Sequence, residues 1–461
     1  MLEALQGRLY DTSQINEQNR LFSNKDLRIL LIPLVIEQFL NSFMGMVDTM
    51  MVSNVGSAAI SSVSLVDSIN NLIIQIFSAM ATGATIICSQ CIGCGDEKRS
   101  NKAARQVFLT MIIISLTITM IFLGSRESLL SLIFGQVEPD VMSNALVYFL
   151  ITVVSYPFIA LFNAGSAFYR AGGNSKFPMK VSVISNLINI VGNIILIFGF
   201  KIGVAGAAIS TLISRVFSTV VIFYFLHKPK QPIVINEYLK IRPDFRLIGM
   251  ILAIGIPAGI ENGMFQFGKL AIQSTVSTLG TVAIAAQAMT NILESVNGIV
   301  AVGIGIGLMT VVGQCMGAGR KEEAKYYIVK LTTYAQVGLT VSCILTMLIT
   351  KPVTLLAGME AESAKMCFEM MIAITIFKPI LWVLSFIPAY GMRAAGDVKF
   401  SMIISTLSMW LCRVALSIYL CKAWGFGPIA VWIGMFADWG VRSVIFTLRF
   451  LSGKWTEKQV I

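Results

Sequence analysis

The chain has 461 residues, of which 56 % are hydrophobic and 13 % charged, with a mean hydropathy of +0.78. Soluble domains carry roughly 25 % charged residues, so this chain spends most of its length in lipid and is an integral membrane protein. Its formal charge of +11 raises nucleic acid as a partner, and the placement of the basic residues, taken up below, excludes it.

The first 24 residues are polar and do not read as a cleavable signal peptide. Beyond them, apolar runs of about 20 residues recur, the length that crosses a hydrocarbon core of roughly 30 Å. The first six spans fall near 27–51, 62–90, 105–125, 143–168, 178–200 and 203–227. The second six fall near 246–276, 285–314, 326–350, 367–391, 399–421 and 427–450. A charged, proline-bearing stretch, HKPKQPIVINEYLKIRPDFR at His227–Arg246, separates the two sets. The layout is therefore a tail at 1–26, a first lobe at 27–227, a linker at 228–245, a second lobe at 246–450 and a tail at 451–461.

Of the Lys and Arg residues, 25 fall in the tails and the even-numbered loops, and five in the odd-numbered loops. The other five, Arg215, Lys269, Lys378, Arg413 and Arg442, sit within spans. The positive-inside rule places both termini and the linker in the cytoplasm, with the chain in the cell membrane. The basic excess is a topology signal and not a phosphate-binding patch.

The second span ends in CSQCIGCGDEKRS, whose Cys88, Cys91 and Cys94 carry the C-x2-C-x2-C spacing of an iron–sulfur run. An internal repeat decides against that reading. Shifted by 224 positions, IPLVIE at Ile32–Glu37 lies over IPAGIE at Ile256–Glu261, and QCIGCG at Gln90–Gly95 over QCMGAG at Gln314–Gly319. The second copy replaces Cys88 with Val312 and Cys94 with Ala318, keeping only Q-C-x-G-x-G and the charges after it. That pattern ends a helix and turns into a short loop. With a shift of 223, RAGGN at Arg170–Asn174 meets RAAGD at Arg393–Asp397. Two six-helix units thus run the same way through the membrane, an arrangement found in secondary transporters with substrate held between the halves.

These motifs, with GMVDTMMVSNVGSAAISSVS after the first span, FYRAGGNSKFP after the fourth and NLINIVGNIILIFGFKIGVAGAAISTLIS over the fifth and sixth, resemble the multidrug and toxic compound extrusion (MATE) family along essentially the whole chain. The resemblance implies an all-α membrane protein of twelve helices in two pseudo-symmetric lobes forming a V. It also implies an antiporter that exports organic, cationic and amphipathic compounds while H⁺ or Na⁺ runs inward. The alternative within the superfamily is a flippase for a lipid-linked substrate.

Ionisable residues at membrane depth are expensive and mark functional sites. Glu37 and Asp48, eleven residues apart on the first span, fall within about 20° of one face and read as looking into the first lobe. Asn189 and Asn193 share a face of the fifth span, and Thr211 follows on the sixth. With Asp48 they make an oxygen-rich set of the kind that holds a hard cation. The resemblance places the first-lobe cation site at these four positions, with one departure: Asn193 stands where many DinF-like members have aspartate.

In the second lobe, Glu261 repeats Glu37, each four residues after a proline. Pro33 and Pro257 are expected to kink their helices. The NorM-like cation site is not intact, because its aspartate position reads Trp382. Glu294 and Lys378 read as a buried ion pair or, with Glu261 and Trp382, as lining for a substrate cavity that attracts cations. Asp438 and Arg442, spaced i,i+4, read as a scaffold pair. One helix-end histidine, His227, and no H-E-x-x-H argue against an enzyme or a metal centre. The expected partners are an organic substrate and the lipid bilayer, with no cofactor beyond the coupling ion, and the expected state is a monomer.

Overall fold

The computed structural model describes residues 9–11, 15, 19–135, 137–229, 231–236 and 238–458. Among the described residues the regular elements are all helical, as a chain in lipid requires when every backbone polar group must be satisfied within its own segment. The helices of the first repeat are α1 (Asn24–Ser53), α2 (Ser57–Gly93), α3 (Glu97–Phe134), α4 (Pro139–Val154), α5 (Tyr156–Ala171), α6 (Lys176–Asn193) and α7 (Val204–Leu226). Those of the second are α8 (Phe245–Val276), α9 (Thr281–Asn297), α10 (Ile299–Gly317), α11 (Lys321–Leu356), α12 (Ala361–Ala394), α13 (Val398–Ser408), α14 (Leu416–Ala423) and α15 (Ile429–Leu451). Among the described residues, eleven spans are long and apolar enough to cross a membrane, and α4 with α5, bent by 41° at Ser155, makes a twelfth when the pair is counted as one span.

Helix starts follow local chemistry. Asp26 N donates to Ser23 Oγ at 3.2 Å and Ser23 N donates to Asp26 Oδ2 at 2.9 Å, a reciprocal cap for α1. Asp96 accepts from Arg99 N at 2.9 Å at the start of α3. The cysteine run ends α2 as a helix terminus: Cys88 and Cys91 are buried, Cys94 N donates to the Gln90 carbonyl, and Gly95 takes φ 72°.

Contacts divide the chain into two compact units, an N-unit of Phe39–Gly259 and a C-unit of Met1–Gln38 with Ile260–Ile461. The division differs from the lobes expected at 27–227 and 246–450. The first half of α8 packs in the N-unit, and the first half of α1 in the C-unit. Two glycines 224 residues apart permit this. A Cβ on Gly83 of α2 would stand 3.3 Å from the Ile251 carbonyl oxygen of α8, and one on Gly307 of α10 would collide with Leu31 of α1. Both boundaries fall just after a proline, at Pro33 and Pro257, each inside a continuous helix.

A second paired feature positions the sites. α6 runs into a π-helical turn at Ile194–Gly199, and a π-helical turn at Met409–Ala415 joins α13 to α14. The first packs against Gly206 of α7 and the second against Gly434 of α15. A Cβ on Gly206 would lie 3.1 Å from the Leu196 carbonyl carbon, and one on Gly434 would lie 2.9 Å from the Arg413 carbonyl oxygen. Such turns re-aim the side chains beside them and recur at functional sites.

Candidate cation-coupling site

In the N-unit, α1, α6 and α7 bring four of the expected residues into one chain of hydrogen bonds. Asp48 is half-buried, and its Oδ1 accepts from Asn193 Nδ2 at 2.9 Å. Asn193 Nδ2 also donates to Asn189 Oδ1 at 3.2 Å, and Asn189 Nδ2 donates to Thr211 Oγ1 at 3.1 Å. Asp48 fixes the Asn193 amide, because the reversed orientation would set two oxygens face to face. What remains is Asn193 Oδ1, on a side chain 1 % exposed and without a hydrogen-bond partner among the described residues. Carboxylate, amide and hydroxyl oxygens so gathered, one of them unsatisfied, suit a proton or a small hard cation.

Behind them lies a second carboxylate that the sequence reading passed over. Asp67 of α2 accepts from Asn70 Nδ2 at 3.1 Å and from the Tyr148 hydroxyl at 3.3 Å. Tyr156 donates to Asn70 Oδ1 at 2.8 Å. Arg215 of α7 donates to Ser155 Oγ at 2.6 Å, where α4 bends into α5, and its charge is felt by Asp48, Asp67, Tyr148 and Tyr156. With both carboxylates ionised, two against one guanidinium leave the cluster one negative charge, which one monovalent cation neutralises. The signal for Asp67 was present in the sequence: it is an ionisable residue inside an apolar run, by the same rule that marked Asp48.

Glu37 does not join this cluster. It is 3 % exposed and lies in the C-unit, since α1 passes from one unit to the other between Gln38 and Phe39. Sharing a helix face with Asp48 is not sharing an environment, because the two residues stand about 16 Å apart along the axis.

In the C-unit, the carboxylates expected to face a cavity are already engaged. Glu261 Oε1 pairs with Arg393 at 2.6 Å, and Arg393 Nε donates to Ser401 Oγ at 2.8 Å. Lys378, 1 % exposed, pairs with Glu294 Oε1 at 2.5 Å and also donates to the Glu294 carbonyl at 3.0 Å and to Asn297 Oδ1. Of the two readings offered for Glu294 and Lys378, the geometry is that of the ion pair. Trp382 is buried and stacks on Phe386, ring centroids 4.7 Å apart. Asp438 and Arg442, both buried, pair at 2.7 Å as the i,i+4 spacing indicated.

The MatE family profile matches the chain twice, over residues 33–195 and 257–419. A probable multidrug resistance protein NorM of Thermotoga maritima is 27 % identical over 446 residues, covering 95 % of this chain and 94 % of its own. An uncharacterized transporter, YisQ, of Bacillus subtilis is 28 % identical over 435 residues, covering 92 % of this chain and 94 % of its own. Among solved structures, an outward-facing multidrug resistance MATE family transporter of the MOP superfamily shares the fold at a TM-score of 0.87 and 20 % identity, covering 93 % of this chain and 96 % of that one. A MOP superfamily transporter from Pyrococcus furiosus, described as having a binding pocket of reverse polarity, matches at 0.86 and 20 % identity, covering 98 % of each chain. The double match falls on the two copies of the internal repeat and takes in more than half of the chain, so this multi-pass membrane protein belongs to the MATE family.

Proposed function

We propose that the chain is a secondary antiporter that exports amphipathic organic compounds while H⁺ or Na⁺ runs inward through the Asp48 cluster. One observation carries the reading: Asp48, Asn189, Asn193 and Thr211 converge from three helices around an unsatisfied, buried amide oxygen. A bound cation shifts alternating access only through its differential affinity for the two states. Asp48 lies on α1, which crosses between the compact units, and is therefore well placed to couple occupancy to a change in that helix.

The export direction is supported by the relatives, several of which bear multidrug resistance or multidrug export names. The basic residues support a cell-membrane location with both termini in the cytoplasm. On substrate charge, the resemblance implies cations, while Glu261 and Glu294, the carboxylates expected to attract them, each already hold a basic partner. The lipid-linked alternative has no comparable observation in its favour.

The test uses the full chain in sealed vesicles loaded with ethidium, rhodamine 6G or fluorescein, with a pH gradient or a Na⁺ gradient imposed. One gradient is expected to drive efflux of at least one dye, and Asp48→Asn to abolish it. Wild-type efflux that ignores both gradients, or survives Asp48→Asn unchanged, would sink the coupling role.

A further inference from the structure

The C-unit gathers cations around one aromatic ring. Lys269 Nζ lies 5.1 Å from the Phe265 ring centroid and Arg413 Cζ lies 4.9 Å from it. The two charges are therefore within about 10 Å of each other, close enough to repel in a medium of low dielectric. Among the described residues, no carboxylate forms an ion pair with either. Glu294 feels both charges, but its Oε1 is held by Lys378. Asp438, the other carboxylate near Arg413, is held by Arg442 and Ser408. The local sum is three cations against Glu294, once the Asp438–Arg442 pair is set aside as neutral.

Arg413 makes the case for a ligand. It is 6 % exposed, and its Nε has no hydrogen-bond partner among the described residues. Guanidinium offers five donors and accepts nothing, so an unpaired one at this depth calls for an acceptor. Asn297, 0 % exposed and bound to Lys378 through its oxygen, likewise leaves its Nδ2 donor unused. Lys269, by contrast, is exposed. Arg413 projects from the π-helical turn at Met409–Ala415, while Asn193 ends α6 where the other such turn begins. The same backbone device thus presents an unused acceptor in one unit and an unused donor in the other.

We propose that Lys269 and Arg413, set about Phe265, bind the oxyanion group (carboxylate, phosphate or sulfonate) of an amphipathic organic anion. Arg413 supplies planar donors, Lys269 a point charge, and Phe265 an apolar ring for the adjoining part of the molecule. The site deepens the export reading by naming a substrate class, and rests on it only for the direction in which the anion moves. A phospholipid headgroup carries the same chemistry and is the second possible source of the anion.

The experiment measures equilibrium binding with no gradient present, so it stands apart from the vesicle test of coupling. Full-length protein in phosphatidylcholine nanodiscs is titrated, at pH 8, against fluorescein and against rhodamine 6G, two xanthenes of opposite charge, with polarisation as the readout. Wild type is expected to bind fluorescein the more tightly. Lys269→Gln should weaken fluorescein by about tenfold and leave rhodamine 6G unchanged, while Lys269→Arg should retain binding. Lys269 is exposed, so its variants are expected to keep the fold, checked by size exclusion. Arg413→Gln and Arg413→Lys, judged alongside by size exclusion, are expected to separate in the same way. Adding phosphatidylglycerol distinguishes the sources: competition that disappears in Lys269→Gln assigns the site to a lipid phosphate, and no competition assigns it to a soluble organic anion. Rhodamine 6G binding as tightly as fluorescein, or fluorescein binding indifferent to Lys269→Gln, overturns the proposal.

Discussion

Asp438 and Arg442 show what a charge inside this fold costs and what cancels that cost. Arg442 Nε meets Asp438 Oδ1 at 2.7 Å, a second guanidinium nitrogen donates to the Ser405 carbonyl at 2.9 Å, and the arginine carbon lies 5.4 Å from the centre of the Phe386 ring. Breaking such a pair by removing one partner strands the other, at about 3–5 kcal/mol, whereas replacing both by apolar groups is often neutral. Asp438→Asn is therefore expected to lower the thermal midpoint in detergent sharply, and Asp438→Leu with Arg442→Met to recover most of it. A double variant as unstable as the single one would mean that the pair does more than cancel itself. This pair was legible in the sequence because i,i+4 spacing on one helix is a local rule. The Asp67 network was not, because Asn70, Tyr148, Ser155, Tyr156 and Arg215 come from partners up to 86 residues apart. No local spacing encodes which of several apolar helices will face which.

At the scale of elements, two segments that precede crossing helices are strapped to the start of another. Ahead of α8, Gln106 of α3 donates to the Arg242 carbonyl at 2.8 Å and accepts from Asp244 N at 2.9 Å, while Asn101 accepts from Val234 N at 2.8 Å. Ahead of α1, Tyr327 of α11 donates to the Phe22 carbonyl at 2.7 Å and accepts from Phe22 N at 3.1 Å. Lys102 pairs with Asp244 at 2.6 Å. The hydrogen bond from Lys102 is the main cause holding the Asp244 carboxyl below its ordinary value, and the amides of Leu247 and Arg246 add to it. A carboxyl with a depressed folded pKa contributes fully above the ordinary value of about 4 and loses its contribution as pH falls through the lower folded one. Amide hydrogen exchange over residues 234–244, corrected for intrinsic rates, is thus expected to be flat from neutral pH to about 4 and to lose protection below it. Gln106→Ala removes both of its bonds to the segment and should cut that protection about fivefold at neutral pH, a cost near 1 kcal/mol. Protection that ignores both the variant and the acid would place the strap elsewhere. Charge and prolines mark this segment as a linker, and apolar periodicity says nothing of a glutamine that holds backbone.

At the scale of the whole molecule, one repeated scaffold carries unlike chemistry. The family profile falls on residues 33–195 and again on 257–419, and the helices, the glycine contacts and the π-helical turns recur in both copies. The number and order of the spans could be read from the sequence because hydropathy and self-similarity are properties of the chain alone. The exchange of half-helices could not, since Gly83 and Gly307 announce close approach without naming the partner. Glu37 and Glu261 align, but the residues of the two clusters do not repeat: Asp48 aligns with Ile272, and Asn70 with Glu294, under the 224-residue shift. With both carboxylates ionised the Asp48 cluster carries one net negative charge, and the surroundings of Arg413 are net positive, so on the proposed assignments the two copies take ions of opposite sign. That asymmetry has an electrical consequence. If one H⁺ or Na⁺ enters while a monovalent organic anion leaves, each cycle moves two positive charges inward, whereas exchange for a monovalent organic cation moves none. A membrane potential acts on each charge with about 2.3 kcal/mol per 100 mV, so about 100 mV, interior negative, adds roughly 4.6 kcal/mol per cycle to anion export and nothing to cation export. In vesicles clamped with valinomycin and potassium, anion efflux at a fixed pH or Na⁺ gradient is expected to be driven further by an interior-negative potential, and rhodamine 6G efflux to be indifferent to it. Anion efflux equally indifferent to the clamp would mean that charge is balanced within the cycle, and one of the two sites would have to be reassigned.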